Sequence, residues 1–453
     1  MAAPLWETAD RGRSDGRRRS DVALTQPRPS PESDRRRSLK VAVIHGVGFF
    51  YSGGGEKLVI QQVLGLRERG HRVDCYAPIV DPARSFPGWL DRVGVRRLAP
   101  RLPNWLRFPD ALAIIAMSVA APFLAHRFRG YDVILAANQP AGWIAWWARR
   151  LYGVPYVLYL AQPNRLLYPR EIDGERTVIV KRDYFFLHAI APLIRPLVLA
   201  AERRSVAGAT RVLANGAYMA RVLSRTYARA FSSCPAGAEA VVETRSRFTG
   251  AVHLRGLVIP KPFVLLSNRH YPQKRFEVAI EALRHPALAA RRIPLVITGQ
   301  ETAYTLRLRE LAARLGLHDR VHFIGLAGED ELAALYAHAA CYVYPSPEED
   351  FGMGVVEAMA AAVPVVAWDH AGPTGTMVDG LTGYLVPPGS PELFAERIVQ
   401  LLDDEQLSRR LGRGAQSHAL RHFTLDHHLE ALENVLDDVC EVERDDALAD
   451  ATA

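Results

Sequence analysis

Short runs of Val, Ile and Leu, each ending in a polar or Gly-containing turn and followed by a helical pattern, recur in two separate stretches of the chain. Strands of this kind are buried on both faces, and their alternation with helices is the signature of a doubly wound parallel sheet. In the first stretch Lys40 to His45 reads as a strand, followed by a Gly-rich loop and a helix from Glu56 to about Arg69. Val73 to Tyr76, Tyr131 to Ala136, Tyr156 to Leu160 and Arg211 to Leu213 read as further strands. In the second stretch the strands are Phe263 to Leu266, Leu295 to Thr298, Val321 to Ile324, Cys341 to Tyr344 and Pro364 to Ala367, with helices around 276–283, 302–315, 329–339 and 354–362. A chain of 453 residues also exceeds what one hydrophobic core usually organises. The expected fold class is therefore α/β, with two doubly wound, Rossmann-like domains facing each other across a cleft.

The stretch 232–262 holds Pro235, Gly237, Gly250, Gly256, Pro260 and Pro262 without a sustained period, so the joint between the domains is placed there. The divisions read from sequence are a disordered basic segment at 1–39, a first domain at 40–255 and a second at 256–420. They continue with a helix at 421–442 that packs back on the first domain and a flexible acidic tail at 443–453. Arg17, Arg18, Arg19, Arg35, Arg36 and Arg37 supply much of the net charge of +7, so no nucleic-acid partner is expected of the folded part. Cys75, Cys234, Cys341 and Cys440 lie far apart, as suits reduced thiols in a cytoplasmic protein. The longest uncharged apolar run, Ala111 to Ala125, is 15 residues, against the ~20 that a spanning helix needs. It is bracketed by Arg107 and by His126, Arg127 and Arg129, and a second apolar stretch, Leu187 to Ala201, carries Arg195. Apolar faces with basic rims fit peripheral contact with the inner face of a membrane, and ordinary buried helices share that composition.

The most informative stretch is Pro345 to Ala360, a strand end, a loop and a helix. Gly352 and Gly354 let the backbone approach a ligand, and the helix start turns free N–H groups and its positive dipole end towards an anion. Glu349 in the loop and Glu357 in the helix are placed to hold different parts of one ligand. Two carboxylates beside a diphosphate need cations, and Arg269 and Lys274 follow another strand of the same sheet. In the first domain Gly53, Gly54 and Gly55 leave backbone N–H groups open to a phosphate, whereas Tyr51 breaks the dinucleotide fingerprint at its third glycine. No Asp-X-Asp element occurs, so no metal is expected.

On these residues the chain resembles the family 4 retaining glycosyltransferases, whose hallmark is two glutamates separated by seven residues around Phe-Gly, as Glu349 and Glu357 are. The resemblance spans about 40–440 and is tightest from 263 to 390. It implies the GT-B fold, with an acceptor domain first and a donor domain second, and a metal-independent hexosyltransferase activity. It also implies roles: Glu357 on the nucleotide ribose, Glu349 on the transferred sugar, and Arg269 and Lys274 on the leaving diphosphate. Phe351, Gly352, Met353, Gly354 and Val355 complete the donor loop, and Ile324 and Gly325 lie where the base stacks. Gly53, Gly54 and Gly55 resemble a family loop that closes over the donor phosphates. The implied co-substrate is a GDP- or UDP-hexose with no other cofactor. The implied acceptor is a glycan or a lipid-linked saccharide of cell-envelope polysaccharide or glycolipid synthesis, and the loop Ala161 to Arg165 looks most like those of mannosyltransferases.

Two positions depart from the family. Ala161 stands where a histidine usually lies close to the reacting sugar, leaving Asn138, Gln139, Gln162 and Arg165 as the nearest acceptor-side polar groups. Gly375 stands where a glutamate is frequent. Both departures keep open an alternative, a catalytically weak or inactive regulatory protein that binds a nucleotide sugar. His45 and His270 read as structural, and the pair His427 and His428 as surface residues.

Overall fold

The computed structural model describes residues 37–452 apart from 52, 104, 107, 166, 169–180 and 239–246. Of the segment 1–39 expected to be disordered, 1–36 lie outside them, whereas Leu39 is buried in the core and its N–H donates to His71 Nδ1 at 3.2 Å. The first sheet contains β1 (Lys40–His45), β2 (Arg72–Ala77), β3 (Arg96–Arg97), β4 (Val133–Ala137), β5 (Tyr156–Leu160), β6 (Arg211–Ala214) and β7 (Ser232–Ser233). A hairpin of β8 (Ala251–Leu254) and β9 (Leu257–Pro260) follows. The second sheet contains β10 (Val264–Ser267), β11 (Leu295–Thr298), β12 (Val321–Gly325), β13 (Cys341–Tyr344), β14 (Val365–Trp368) and β15 (Gly383–Val386). All residues of β4, β5, β11, β13 and β14 are buried, which is why they read as unbroken apolar runs.

Strand order is β3-β2-β1-β4-β5-β6-β7 in the first sheet and β12-β11-β10-β13-β14-β15 in the second, and the pairs are parallel. Each order reverses once, between β1 and β4 and between β10 and β13. Crossovers leave a crevice at the carboxyl ends of the strands there, the usual ligand position in such sheets. The loop after β1 enters the helix Gly54–Glu68, and the loop after β13 enters the helix Met353–Ala360. Each sheet buries one face under its own helices, around Ile134, Ile144 and Leu158 in one and Leu266, Ile297 and Phe394 in the other. A continuous core joins the remaining faces, from Val43 and Leu135 to Phe351 and Val365.

The hairpin lies in the stretch read as a joint and spans the 255/256 division. Arg255 and Gly256 form its turn with φ of 50° and 79°, and the Arg255 guanidinium donates to Ile324 O at 3.0 Å and Leu326 O at 2.9 Å. Arg247 likewise donates to Ala362 O at 2.7 Å, so ties to the second sheet begin before 255. Beyond the second sheet the helix Leu425–Thr452 returns to the first domain. It runs unbroken past 443, where a flexible tail was expected, because Glu443 is anchored by Arg149 at 2.7 Å. Leu429 of this helix fills the space beside Gly65, whose Cβ would lie 2.2 Å from Leu429 Cδ1.

His428 is not a surface residue: it is 1% exposed. Its Nδ1 lies 2.9 Å from Pro235 O and its Nε2 3.1 Å from Gln62 Nε2, and burial lowers its pKa to about 4. The two passages between the domains run side by side. Ala238 N–H donates to Phe423 O at 2.8 Å, and a Cβ on Gly237 would sit 2.2 Å from the Thr424 backbone.

The apolar stretches are half core and half surface. Met117 and Leu124 are buried, whereas Val119 and Phe123 are 74% and 79% exposed. On the helix Lys181–Gly208, which packs against the helix Ala141–Tyr152 as Ala121–Leu124 also does, Leu193 and Leu197 are 82% and 74% exposed. Among the described residues no single helix is long and apolar enough to cross a membrane.

Candidate active site

The two reversal points face each other across the cleft, and the candidate residues gather between them. Lys274, after β10, donates from Nζ to Glu349 Oε2, after β13. The same oxygen accepts from the Tyr344 hydroxyl at 2.5 Å, and that hydroxyl accepts from Asn268 Nδ2 at 3.2 Å. Glu349 is thereby aimed by a cation and a buried phenol whose pKa is driven far up by burial and by the carboxylate. The Arg269 guanidinium lies 4.9 Å from the centre of the Tyr51 ring, which belongs to the opposite domain, and 5.7 Å from that of Tyr271.

Glu357 sits on the helix Met353–Ala360 with its side chain 22% exposed. Tyr336 donates to its Oε2 at 3.2 Å, and Lys57 of the first domain approaches its Oε1 at 3.7 Å. Burial raises the Glu357 pKa, while Lys57 and Tyr336 oppose the shift.

The two glycines of the donor loop serve the fold. Gly352 caps the helix at φ 90°, a left-handed conformation that suits glycine. Gly354 lies over Tyr342, whose hydroxyl would be 2.3 Å from any Cβ there and is held by Ser267 O at 2.9 Å. The Phe351 and Val355 side chains also face inward, being 4% and 0% exposed. Phe351 packs against Phe423 and under Gly216 of the first domain, so these two residues offer the cleft their backbone alone. Met353 meets Gly54 across the cleft, 3.1 Å from the position of its missing Cβ, and Gly53 would clash with Glu56. Gly55 faces open space. Ile324 and Gly325 end β12, the edge strand of the second sheet, where Gly325 O is held by Gly299 N–H and the Thr298 hydroxyl.

Of the acceptor-side candidates, Arg165 and Gln162 reach the cleft. Arg165 Nη2 lies 3.3 and 3.4 Å from the two Asp350 oxygens, and Gln162 Oε1 accepts from its Nε and Nη2 at 3.1 Å. Asn138 spends its side-chain oxygen on Ala161 N–H at 2.9 Å, which fixes the loop where the histidine is absent. Gln139 turns away and donates to the buried Ser205 hydroxyl at 2.9 Å. The same loop is held from below by Glu202, whose Oε2 accepts from Asn164 Nδ2 at 2.7 Å and whose pKa burial raises to about 7. Gly375 meets Tyr218 of the first domain, whose backbone N would be 3.2 Å from a Cβ. His45 is buried 3.7 Å from Glu56, and His270 is buried against Thr305 with its pKa lowered to about 4. Among the described residues no group of three or more His, Cys, Asp and Glu is arranged to hold a metal ion.

Sequence reasoning placed Lys57 only within the glycine-loop motif and assigned no site role to Tyr51, Tyr336, Tyr344 or Asp350. Tyr51 and Asp350 had a signal, since each lies beside a motif residue. Tyr336 and Tyr344 had none, because an aromatic in a buried strand or helix reads as core.

Residues 52–231 match the family model described as Glycosyltransferase Family 4, and residues 256–418 match that described as Glycosyl transferases group 1. The chain belongs to glycosyltransferase family 4. It is 29% identical to a D-inositol 3-phosphate glycosyltransferase of Streptomyces avermitilis, over 69% of this chain and 66% of that protein. It is 25% identical to an alpha-1,3/1,6-mannosyltransferase of Dictyostelium discoideum, over 88% of this chain and 98% of that protein. The structure of Anabaena HepE in complex with UDP shares the fold at a TM-score of 0.66 and 20% identity, covering 88% of this chain and 100% of that one. A sucrose-phosphate synthase from Thermosynechococcus elongatus gives a TM-score of 0.66 at 20% identity, covering 89% and 99%. The family 4 chain is thus a GT-B glycosyltransferase, and the residues expected to hold its donor lie at the second sheet's reversal point.

Proposed function

We propose that this enzyme transfers a hexose from a nucleoside diphosphate sugar with retention of configuration and without a metal, at the cleft between Gly53–Gly55 and Glu349–Glu357. The observation that carries this reading is the Lys274 to Glu349 contact at the reversal point of the second sheet, with Arg269 beside it. Departure of a nucleoside diphosphate leaves positive charge at the anomeric carbon and negative charge on phosphate. Lys274 and Arg269 would meet the second charge with preorganised cations, Glu349 would hold the sugar, and Glu357 the ribose diol. The leaving phosphate oxygen would take the acceptor proton as the new bond forms on the same face.

GDP-mannose is the first donor to test, on the strength of the Ala161 to Arg165 loop and the near full-length match to a protein named as a mannosyltransferase. UDP-hexoses come second. The acceptor in this reading is a lipid-linked saccharide of envelope glycan or glycolipid synthesis, met at the cytoplasmic face of a membrane. Exposed Val119, Phe123, Leu193 and Leu197, on helices of the first domain, with Arg127, Arg129 and Arg195 nearby in sequence, support such a contact.

The test is calorimetric titration with UDP, GDP and ADP, and then their hexose conjugates, in EDTA, using wild type, Glu357→Ala and Lys274→Ala. One nucleotide should bind the wild type, and both variants should lose it. Binding that survives both substitutions refutes the site, and binding without sugar transfer to any acceptor favours the regulatory alternative.

A further inference from the structure

Among the described residues, the charged and phenolic groups that face Glu357 belong to its own domain except one. Tyr336 and Glu329 come from the helix Glu329–His338 and Tyr342 from β13, whereas Lys57 comes from the helix Gly54–Glu68 across the cleft. Lys57 lies in the first turn of that helix, its N–H donating to Gly53 O at 3.0 Å, so it is tied to the glycine loop. Its Nζ is 3.7 Å from Glu357 Oε1 and 3.9 Å from Glu329 Oε1, with the Trp89 ring centre 6.0 Å away. Glu329 is 66% exposed, so water screens that second contact strongly. The Lys57 and Glu357 side chains are 26% and 22% exposed, and their pairing is correspondingly less screened.

These facts make Glu357 depend on the opposite domain. The groups of its own domain that face it are two phenols and a carboxylate, none of which supplies positive charge, and burial alone favours its neutral acid form. We propose that Lys57 is a cross-cleft positioning residue for the nucleotide donor, holding Glu357 as an oriented carboxylate so that recognition of a sugar diol is completed only when the cleft is closed. A carboxylate accepts from both hydroxyls of a ribose diol, whereas the protonated acid has less acceptor capacity to offer. Opening the cleft withdraws Lys57, weakens the grip and frees the spent nucleotide. The inference rests on the reading of Glu357 as the ribose ligand.

The experiment measures the affinity of whichever of UDP and GDP binds the wild type, by calorimetry from pH 5.5 to 8.5. Wild type, Lys57→Met, Lys57→Arg and Glu357→Gln are compared. Loss of Lys57 should let Glu357 protonate at higher pH, moving the acid limb of binding to higher pH. Lys57→Met is then weakened severalfold at the acid end of the range and recovers towards pH 8.5, and Lys57→Arg behaves as wild type. Equal weakening of Lys57→Met at every pH, or no rescue by arginine, overturns the inference. So does wild-type behaviour of Lys57→Met while Glu357→Gln loses binding, which leaves the donor site itself intact. If Glu357→Gln binds as wild type at every pH, the donor-site reading has failed and takes this inference with it.

Discussion

The Tyr344 hydroxyl lies 2.5 Å from the Glu349 oxygen that also receives the Lys274 ammonium, so two donors, one on β13 and one in the turn after β10, fix one carboxylate. They contribute unequally. Tyr344→Phe leaves Lys274 in place and should lower kcat about tenfold, whereas Lys274→Ala also removes a leaving-group cation and should cost ~100-fold or more. Initial rates at saturating donor test the order, and a larger loss in the tyrosine variant would contradict it.

Arg165 and Asp350 join the acceptor-side loop to the donor loop directly. A double-mutant cycle with Arg165→Ala and Asp350→Ala, read on kcat/KM, should give a coupling of about 1 kcal/mol, the scale of a partly exposed ion pair. Additive losses would mean that the pair does not persist in the working enzyme.

Gly375 seats Tyr218 where the family often carries a glutamate. Because a Cβ there would already press on the Tyr218 backbone at 3.2 Å, Gly375→Glu should hold the cleft open and lower kcat/KM about tenfold or more. A gain in activity would instead identify a missing donor contact.

His428 is neutral when folded and charges in the unfolded chain, because burial lowers its pKa from the usual 6.5 to about 4. The unfolded state therefore binds the extra proton, and stability is lost as pH falls from about 6.5, levelling off near 4. The loss at pH 5 amounts to about 2 kcal/mol. His428→Asn should shrink the difference in urea-unfolding free energy between pH 7.5 and 5.0 by that order, and an unchanged difference would exclude His428 as the cause. His270 and His418, also lowered to about 4, keep part of the acid sensitivity in the variant.

The exposed apolar side chains predict binding of the wild type to vesicles containing anionic phosphatidylglycerol. Phe123→Ser with Leu193→Ser and Leu197→Ser should reduce co-sedimentation about tenfold or more. No binding by the wild type would remove the surface from consideration.

The sheets were legible because burial on both faces writes a strand as an unbroken apolar run, as in Val133–Ala137 and Tyr156–Leu160. The hairpin was not, since its two-residue turn is Arg255-Gly256 and lacks the Asn-Gly or Asp-Gly signal. Short β15, with Tyr384 and Leu385 only partly buried, offered a motif but no apolar run. Glu349, Glu357, Arg269 and Lys274 could be named because each sits in a local pattern. The contacts that aim them could not: Lys57 is 300 positions from Glu357, and Arg165 is 185 from Asp350. His428 misled because a His-His pair reads as polar surface, while the groups that bury it, Gln62 and Pro235 among them, lie 366 and 193 positions away.

The side-by-side passages at 237–238 and 423–424 make the second domain an uninterrupted insertion, whereas Leu432, Leu436 and Val439 complete a core begun by Val41 and Val43. On the ribosome this reverses the usual order of maturation. The half that emerges first must wait for the helix Leu425–Thr452, whereas the half that emerges second is contiguous in the chain.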